Sequence, residues 1–377
     1  MRTFGVEEEL LLVDEDTGRP VPAAQRLLDS DRSVGHLGGS LLTGEMHQEM
    51  VETVTGVHTD ALELGAEVRA GRTAADDAAK LVGARAAALA TSPLPVHPHP
   101  TDSTRYRAMM HRFGALARDS LACGLHVHVS IESPEEGVAV LDRIRVWLPV
   151  IVALSANSPF CHGEDTGYAS WRTIAWHQWP NAGPNPVFGT VEAYRAYERR
   201  LLTSNVVMDE GMLYFAARLS RAHPTVEVRV ADVPLDATAT GAIAAIVRAL
   251  VETAAEEWRC GLPAPDEPEA LLRLAAWQAA LRGVHGPLVD PLTGEQSTSG
   301  TVIARLLAHV MPALEQTGDD RLVLAVMGTI LEDGTGADLQ RAAAGPGLAD
   351  AVRAAIRWTH LPAAVRLDPR ARWSPVS

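Results

Sequence analysis

Glu7 and Glu9 are the first residues in the chain whose types and spacing could do chemistry. They lie in an apolar segment with the alternation of a β-strand, which places both carboxylates on one face and Glu8 on the other. Two like charges on one face repel each other unless a cation lies between them or one of them is protonated. The pair therefore belongs either to a solvated edge strand or to a cation site.

A second acidic pair, Glu45 and Glu52, begins 36 residues after Glu9. If the segment is helical, the two side chains share a face two turns apart, whereas in a strand they point in opposite directions. In a strand, one of them must lie at a bend to act together with the other. An ordinary amphipathic surface segment has the same pattern.

Two histidines, His126 and His128, occur in the clearest strand pattern of the chain, residues 123–131. Strict alternation places both imidazoles on one face and Val127 on the other. A single buried histidine is usually a satisfied core residue, but two on one strand face make a metal or phosphate site about equally plausible.

Arginines accompany these groups. Glu227 and Arg229 share one face of a third strand pattern with Asp232 just beyond it, and a salt bridge across that face would explain them as well as a binding site would. Arg172 lies in a long Gly-, Pro- and Trp-rich segment, residues 157–190, and loops of that length are usually functional. Both arginines are candidates for forked recognition of a carboxylate or phosphate.

Together these groups favour a site for Mg²⁺ or Mn²⁺ holding a polyphosphate. Carboxylate oxygens with an imidazole and nearby arginines are the donors that such a site needs. Zinc is less favoured, because the chain has no pair of histidines at H-x-x-x-H spacing and no cysteine pair.

The elements that must position these groups change in character along the chain. Strand patterns cover residues 2–14, 123–131 and 225–231, with helical patterns at 59–91 and about 135–156. After Pro234 the chain reads almost entirely as helices, at 236–258, 268–283, 301–316, 320–332 and 347–359. We expect an α+β protein with one domain over residues 1–377, in which 1–234 hold an antiparallel or mixed sheet and 235–377 are helical.

Composition excludes several classes of function. The 377 residues carry 33 Lys+Arg and 47 Asp+Glu, and a net charge of −14 argues against nucleic acid or an anionic membrane as partner. Lys80 is the only lysine, so no P-loop is present. Three widely spaced cysteines, and a longest apolar run of only residues 146–156, predict a cytoplasmic protein without a membrane span.

Six motifs occur in a fixed order. They are Gly5-Val6-Glu7-Glu8-Glu9, Glu45 with Val51-Glu52, Cys123-Gly124-Leu125-His126-Val127-His128-Val129, Ala156-Asn157-Ser158-Pro159-Phe160, Ser170-x-Arg172, and Glu227-Val228-Arg229-x-x-Asp232. This series resembles the carboxylate–amine ligases of the glutamate–cysteine ligase type 2 family, including its bacterial branch, from residue 3 to about 360. The resemblance implies a glutamine-synthetase-like sheet open on one face and backed by helices, with ATP and Mg²⁺ (or Mn²⁺) in the cleft.

The resemblance also implies roles for individual residues. Arg172 and Arg229 would be catalytic and would bind ATP and substrate. His128, Asn157 and Ser170 would join them in binding. The metal ligands would be Glu7, Glu9, Glu45, Glu52, His126 and Glu227.

The implied reaction is the ATP-dependent joining of an amino-acid carboxylate, activated as an acyl phosphate, to an amine, with small molecules as the partners. Departures from the family pattern at Ala275, Ala276 and Leu281 leave room for altered or weak glutamate–cysteine ligase activity, or for a non-catalytic protein that binds ATP or an amino acid. A metal-dependent hydrolase or deaminase is a third possibility. A homo-oligomer is compatible with the sequence.

Overall fold

An antiparallel sheet organises the protein. The computed structural model describes residues 1–34, 41–345 and 347–362. The strands in chain order are β1 (Phe4–Val13), β2 (Leu41–Gly44), β3 (Met50–Val54), β4 (Arg85–Ala87), β5 (Gly124–Ser130), β6 (Phe160–Cys161), β7 (Glu164–Asp165), β8 (Ala217–Leu219), β9 (Thr225–Asp232), β10 (Leu288–Val289) and β11 (Gln296–Ser297). Seven of them form the main sheet in the order β2-β3-β1-β5-β9-β8, with β4 also paired to β1. Every pairing in this sheet is antiparallel among the described residues.

Helices cover one face of this sheet. In chain order they are α1 (Ala24–Val34), α2 (Ala61–Leu81), α3 (Thr104–Phe113), α4 (Ala115–Asp119), α5 (Pro134–Ile144), α6 (Leu148–Ser155), α7 (Trp171–Trp176), α8 (Val191–Thr203), α9 (Ala237–Arg259), α10 (Glu269–Arg282), α11 (Ser299–Thr317), α12 (Asp320–Asp333), α13 (Gly336–Ala343) and α14 (Leu348–Thr359). Short 3₁₀ turns add residues 210–212 and 283–285. The α+β class, with a sheet covered on one side by helices, is confirmed.

The central helix of the helical layer is α9. It begins after Asp236, whose side chain accepts a hydrogen bond from the Thr238 amide, and it packs against α2, α5 and α11. Gly241 permits the close approach to α2, because a Cβ there would lie 2.9 Å from the Ala61 carbonyl oxygen. Within the described residues α9 is the one helix long and apolar enough to span a membrane, longer than the apolar run expected from the sequence, and 83% of its most apolar window is buried inside the protein.

One hydrophobic core joins the sheet to the C-terminal helices. Leu125 and Val127 of β5 belong to the same buried cluster as Ile243 of α9 and Val302 of α11. The sheet-containing part and the helical part therefore pack together, although the boundary near residue 234 and the extension of a single domain to residue 377 remain predictions. Residues 363–377 lie outside the described residues.

Several expected elements have different boundaries. The helix expected over 59–91 ends at Leu81, because residues 85–87 pair with β1 as strand β4. The helix expected at about 135–156 is two helices, α5 and α6, with Pro149 in the first turn of the second. The segment 157–190, expected to be irregular, contains the β6–β7 hairpin and α7.

Sheet register places the polar groups of six strands on one face. The directly opposed pairs are Thr43 with Glu52, Glu52 with Glu9, Glu7 with His126, His128 with Glu227, and Glu227 with Arg218. Since opposed residues of an antiparallel pair share a face, these side chains form a continuous polar stripe on the face away from α9.

A β-bulge ends this stripe on β9. The register shifts between Leu125 and Val127, so that Arg229 and Val230 together oppose the single residue His126. The extra residue reverses the alternation, and Asp232 pairs with Gly124 on the polar side while Ala231 turns to the core with Leu125. The bulge explains why Asp232 lies on the same side of the sheet as Glu227 and Arg229, although it is separated from each of them by an odd number of positions.

Candidate active site

A cavity of about 590 Å³ lies on the polar face of the sheet. Its floor is the polar stripe, and its walls come from the β2–β3 connection, α3, the end of α7, residues 209–214 and the β8–β9 turn. It contains eight of the eleven residues expected at the site: Glu7, Glu9, Glu45, Glu52, His126, His128, Glu227 and Arg229. The structure thus brings the six expected metal ligands into one cavity; their role remains a prediction.

The centre of the floor could hold a metal ion. One ligand atom each of Glu7, His126 and Glu227 lie within 4.8 Å of one another. Glu7 also lies 3.3 Å from the Nδ1 of His126 and 3.3 Å from the Nε2 of His128. Burial and the positive charge of Arg229 lower the pKa of His126, which favours the neutral imidazole that a metal ion requires.

Crowding of carboxylates sets the electrostatics of the other end of the stripe. Burial and the charge of Glu9 raise the pKa of Glu45 to about 8. Burial and the charge of Glu45 raise the pKa of Glu52 to about 9, although the Thr43 hydroxyl donates a hydrogen bond to its Oε2 at 2.8 Å. Without a cation these two carboxyls hold protons at neutral pH, so the donor set fits a hard divalent cation that would replace the protons.

Glu7 and Glu227 are charged in contrast. Burial opposes ionisation of Glu7, but the neighbouring imidazoles of His126 and His128 outweigh burial and hold its pKa well below the usual range. Burial likewise opposes the charge of Glu227, but the guanidinium groups of Arg229 and Arg218 lower its pKa to about 2. Arg218 donates to Glu227 at 2.7 and 3.2 Å, and Arg229 pairs with the same carboxylate.

One wall of the cavity carries aromatic and apolar side chains. Trp176 and Tyr214 pack with ring centroids 4.6 Å apart, and Tyr106 and Met109 of α3 lie alongside. The forked pair of Arg105 with Asp209, at 2.7 and 3.0 Å, joins α3 to the 209–214 segment. Such a wall suits a flat or apolar ligand group next to a polar floor.

Three residues expected at the site lie outside this cavity. The Asn157 amide side chain donates to the Ala88 and Val233 carbonyls and accepts from Gln340 at 2.6 Å, so it joins the sheet to α13. The Ser170 hydroxyl donates to Asp232 at 2.9 Å and caps α7 by accepting from the Thr173 amide. Their contacts are those of structural residues, and the binding roles expected for them remain untested predictions.

Arg172 is the third expected residue that lies outside the cavity. It is buried behind the floor, where its guanidinium donates to the carbonyls of Val230 and Arg229 and lies 3.9 Å from Asp232. Gly124 makes room for it, since a Cβ there would lie 2.2 Å from the Arg172 Nη2. Arg172 therefore contacts the backbone of the strand that carries Glu227 and Arg229, rather than the cavity itself.

Sequence reasoning missed several cavity residues. Arg218 lies on a strand of only three residues, too short for a periodic signal, and Arg105, Tyr106, Asp209 and Tyr214 belong to segments with no alternation pattern. The sequence alone does not decide whether Glu45 and Glu52 share a helix or lie in a strand and a bend. Glu52 lies in β3 and Glu45 lies just beyond β2, so the strand-and-bend arrangement is the right one.

The departures from the family pattern lie on α10, which packs against α6. Ala275 and Ala276 are buried, and Ala276 lines a small pocket together with Arg172 and Trp176. Leu281 is half-buried near the end of the same helix. None of the three lines the 590 Å³ cavity.

An antiparallel sheet with a carboxylate-lined open face and a helical back is the fold that the resemblance to glutamine-synthetase-like carboxylate–amine ligases implies. The model of the family "Glutamate-cysteine ligase family 2(GCS2)" matches residues 3–350. The chain belongs to this family and is an enzyme of the ATP-dependent carboxylate–amine ligase class.

Relatives in actinobacteria support this assignment. The protein is 50% identical over 367 residues to "Putative glutamate--cysteine ligase 2-1" of Paenarthrobacter aurescens, covering 96% of this chain and 95% of the relative. It is 47% identical over 347 residues to "Putative glutamate--cysteine ligase 2-1" of Streptomyces avermitilis, covering 90% and 94%.

Solved structures show the same fold at low identity. Glutamate–cysteine ligase of Francisella tularensis in complex with AMP matches with a TM-score of 0.68 and 14% identity, over 98% of this chain and 90% of that one. The Pup ligase PafA, in its complex with the prokaryotic ubiquitin-like protein Pup, matches with a TM-score of 0.53 and 14% identity, over 90% and 67%.

Proposed function

We propose that this protein is an ATP- and Mg²⁺-dependent ligase that activates a glutamate-like amino-acid carboxylate as an acyl phosphate and couples it to an amine. The observation that carries the proposal is the convergence of Glu7, Glu45, Glu52, His126 and Glu227 in one cavity over the sheet. Such a donor set suits divalent cations that carry a nucleotide triphosphate.

The cation site is assigned to the polar stripe. Glu7, His126 and Glu227 would hold one divalent ion, and the crowded carboxyls of Glu9, Glu45 and Glu52 would supply ligands for another. Bound there, Mg²⁺ or Mn²⁺ would neutralise the charge that develops on transferred phosphate oxygens.

The arginines of the cavity act on anionic groups. Arg229 is held by Glu227 and rests 5.9 Å from the Trp176 ring, so its orientation is fixed before a ligand binds. A fixed guanidinium stabilises the negative charge of a phosphate or of a tetrahedral adduct at no cost of reorganisation. Arg218 is fixed by the same carboxylate from the neighbouring strand.

The Trp176 and Tyr214 wall excludes water from one side of the cavity. Water exclusion matters for this chemistry, because an acyl phosphate exposed to solvent is lost to hydrolysis before the amine attacks. The substrates would be small molecules. A cytoplasmic location and a homo-oligomeric state stay predictions.

The test mixes protein, ATP and Mg²⁺ with a panel of amino-acid carboxylates and amines and measures ADP together with the amide product. We expect ADP and amide in equal amounts for a particular pair, and loss of both on addition of EDTA. Glu227→Gln should abolish turnover, whereas Glu256→Gln, an exposed carboxylate on α9, should leave it unchanged.

Two other outcomes would contradict the proposal. Tight ATP–Mg²⁺ binding without release of ADP for any pair would favour a non-catalytic binding protein. Hydrolysis of a substrate without ATP would favour a metal-dependent hydrolase.

A further inference from the structure

A second, much smaller pocket lies behind Trp176. It has a volume of about 30 Å³, room for one or two waters or one small ion. Arg145, Arg172 and Arg229 line it, among apolar side chains that include Leu148 and Val152. Trp176 and Arg229 also line the 590 Å³ cavity and so lie between the two spaces.

Each of the three guanidinium groups has an unsatisfied donor. Arg145 Nη1, Arg172 Nε and Arg229 Nε are buried and have no hydrogen-bond partner, and all three residues are at least 92% buried. A buried donor without a partner costs about 1–3 kcal/mol, and more when the group is charged. Three such donors around one pocket indicate an acceptor in it.

The charges around the pocket do not balance. Arg229 pairs with the Glu227 carboxylate, but the same carboxylate also accepts hydrogen bonds from Arg218. The Arg172 guanidinium lies 3.9 Å from the Asp232 carboxylate. That carboxylate already accepts hydrogen bonds from the backbone amide of Asn157 and from the hydroxyls of Ser158 and Ser170.

Arg145 is the least compensated of the three. Its one hydrogen bond goes from Nε to the Asn185 carbonyl oxygen, and it forms no salt bridge within the described part of the chain. Burial lowers its pKa, and the carboxylates of Glu269, Asp142, Asp266 and Glu267 favour its charge only from longer range. His177 also lines the pocket. Burial and the charges of Arg273 and Arg172 lower its pKa to about 4, so it is neutral at pH 7 and does not change the charge of the pocket. A buried guanidinium that no anion contacts directly is unfavourable.

We infer that the pocket behind Trp176 binds one small monovalent anion of about the size of chloride, held by Arg145, Arg172 and Arg229. Water would satisfy the donors but would leave the charge uncompensated. The carboxylate end of a substrate shares the required chemistry, but the pocket has no room for the rest of the molecule and Trp176 lies between it and the large cavity. The inference does not depend on which reaction the large cavity carries out, although Arg229 lines both spaces.

The bound anion would fix the back of the active site. Arg172 and Arg229 both lie against the Trp176 ring, at 5.7 and 5.9 Å from its centroid. An anion between the arginines would hold both guanidinium groups and, through them, the ring that forms the cavity wall.

The test uses the wild-type protein purified without halide. Crystals soaked in bromide should show an anomalous peak in the pocket at Arg145 and Arg172. In solution, replacing gluconate by chloride at constant ionic strength should raise the melting temperature by about 3 °C when chloride is about a hundred times its Kd. No peak together with no chloride response would mean that only water fills the pocket and would overturn the inference.

Two variants and a competition experiment sharpen the test. Arg145→Gln should lose the chloride response, whereas Arg143→Gln should keep it, because the Nη atoms of Arg143 donate to the Ala139 and Leu262 carbonyls and Arg143 does not line the pocket. If Arg145→Gln fails to fold, the wild-type bromide peak decides. Loss of that peak on addition of glutamate would assign the pocket to a substrate carboxylate and overturn the free-anion assignment.

Discussion

Glu45 and Glu52 show how the site differs from an ordinary acidic surface. Their carboxyls hold protons near neutral pH because they are buried together with Glu7 and Glu9, whose side chains point into the same cavity. A divalent cation would replace those protons, so binding of the cation should release protons and strengthen as pH rises.

The metal-free protein should therefore lose stability as pH rises. The pKa of Glu52 is about 9 in the folded protein against an ordinary value of 4.5. An acid whose pKa is raised by folding stabilises the fold below pH 4.5, and this contribution is lost as pH rises through 9. Melting temperatures in EDTA from pH 5 to 9 should fall more steeply for wild type than for Glu52→Gln.

Glu256→Gln is the matched control, because Glu256 is exposed on α9 and should follow wild type. Parallel curves for wild type and Glu52→Gln would show that Glu52 is ionised in the metal-free protein.

Strands β1, β5 and β9 carry most of the site, and their alternation made them predictable. Period 2 correctly grouped Glu7 with Glu9 and His126 with His128. The alternation could not show the bulge that turns Asp232 toward Gly124, because the extra residue is visible only in the pairing of β9 with β5. Nor could it locate Arg172 behind the floor, since that position depends on how α7 packs on β9.

The packing of α7 on β9 can be tested by Gly124→Ala, which should displace the Arg172 side chain. The new Cβ would lie 2.2 Å from the guanidinium, which is buried and hydrogen-bonded to β9 carbonyls. We expect a loss of about 1–3 kcal/mol in the free energy of unfolding, measured by urea denaturation. Gly328→Ala on α12, where a Cβ meets no atom within 4 Å, should be neutral or stabilising. Equal effects of the two substitutions would contradict this account.

Across the whole molecule, Glu8 connects the sheet to the helical layer. It points away from the cavity and accepts a forked pair from Arg72 of α2 at 2.9 and 2.7 Å and a hydrogen bond from Thr240 of α9 at 2.6 Å. The three consecutive glutamates thus divide between the cavity and the core, as the alternation of β1 predicts. The hydrogen bonds from Arg72 and Thr240 explain why the carboxylate of Glu8 is tolerated on the core face of the sheet.

Removing one partner of this pair should destabilise the whole fold. Arg72→Ala leaves Glu8 buried without its counter-ion, which typically costs about 3–5 kcal/mol. Lys80→Ala on the same helix removes two ion pairs of an exposed lysine, with Asp76 and Asp77, and leaves Asp76 paired with Arg85, so it should cost no more than about 1 kcal/mol. Chemical denaturation measures both, and similar costs would show that the Arg72 pair is as solvated as the Lys80 pair.

The fold class could be predicted because the order of the motifs carried a family resemblance that the comparisons confirm. Net charge alone argued against nucleic acid or an anionic membrane as partner and gave no indication of a nucleotide site. It is the placement of five carboxylates, those of Glu7, Glu9, Glu45, Glu52 and Glu227, in one cavity over the sheet that favours the proposed nucleotide carried by cations.

The most direct test of the central claim is an anomalous-diffraction map of crystals grown with ADP and Mn²⁺. The account predicts manganese peaks on the polar stripe, one of them bounded by Glu7, His126 and Glu227, with the ADP phosphates next to them. Manganese bound elsewhere, or ADP bound with the stripe left free of metal, would contradict it.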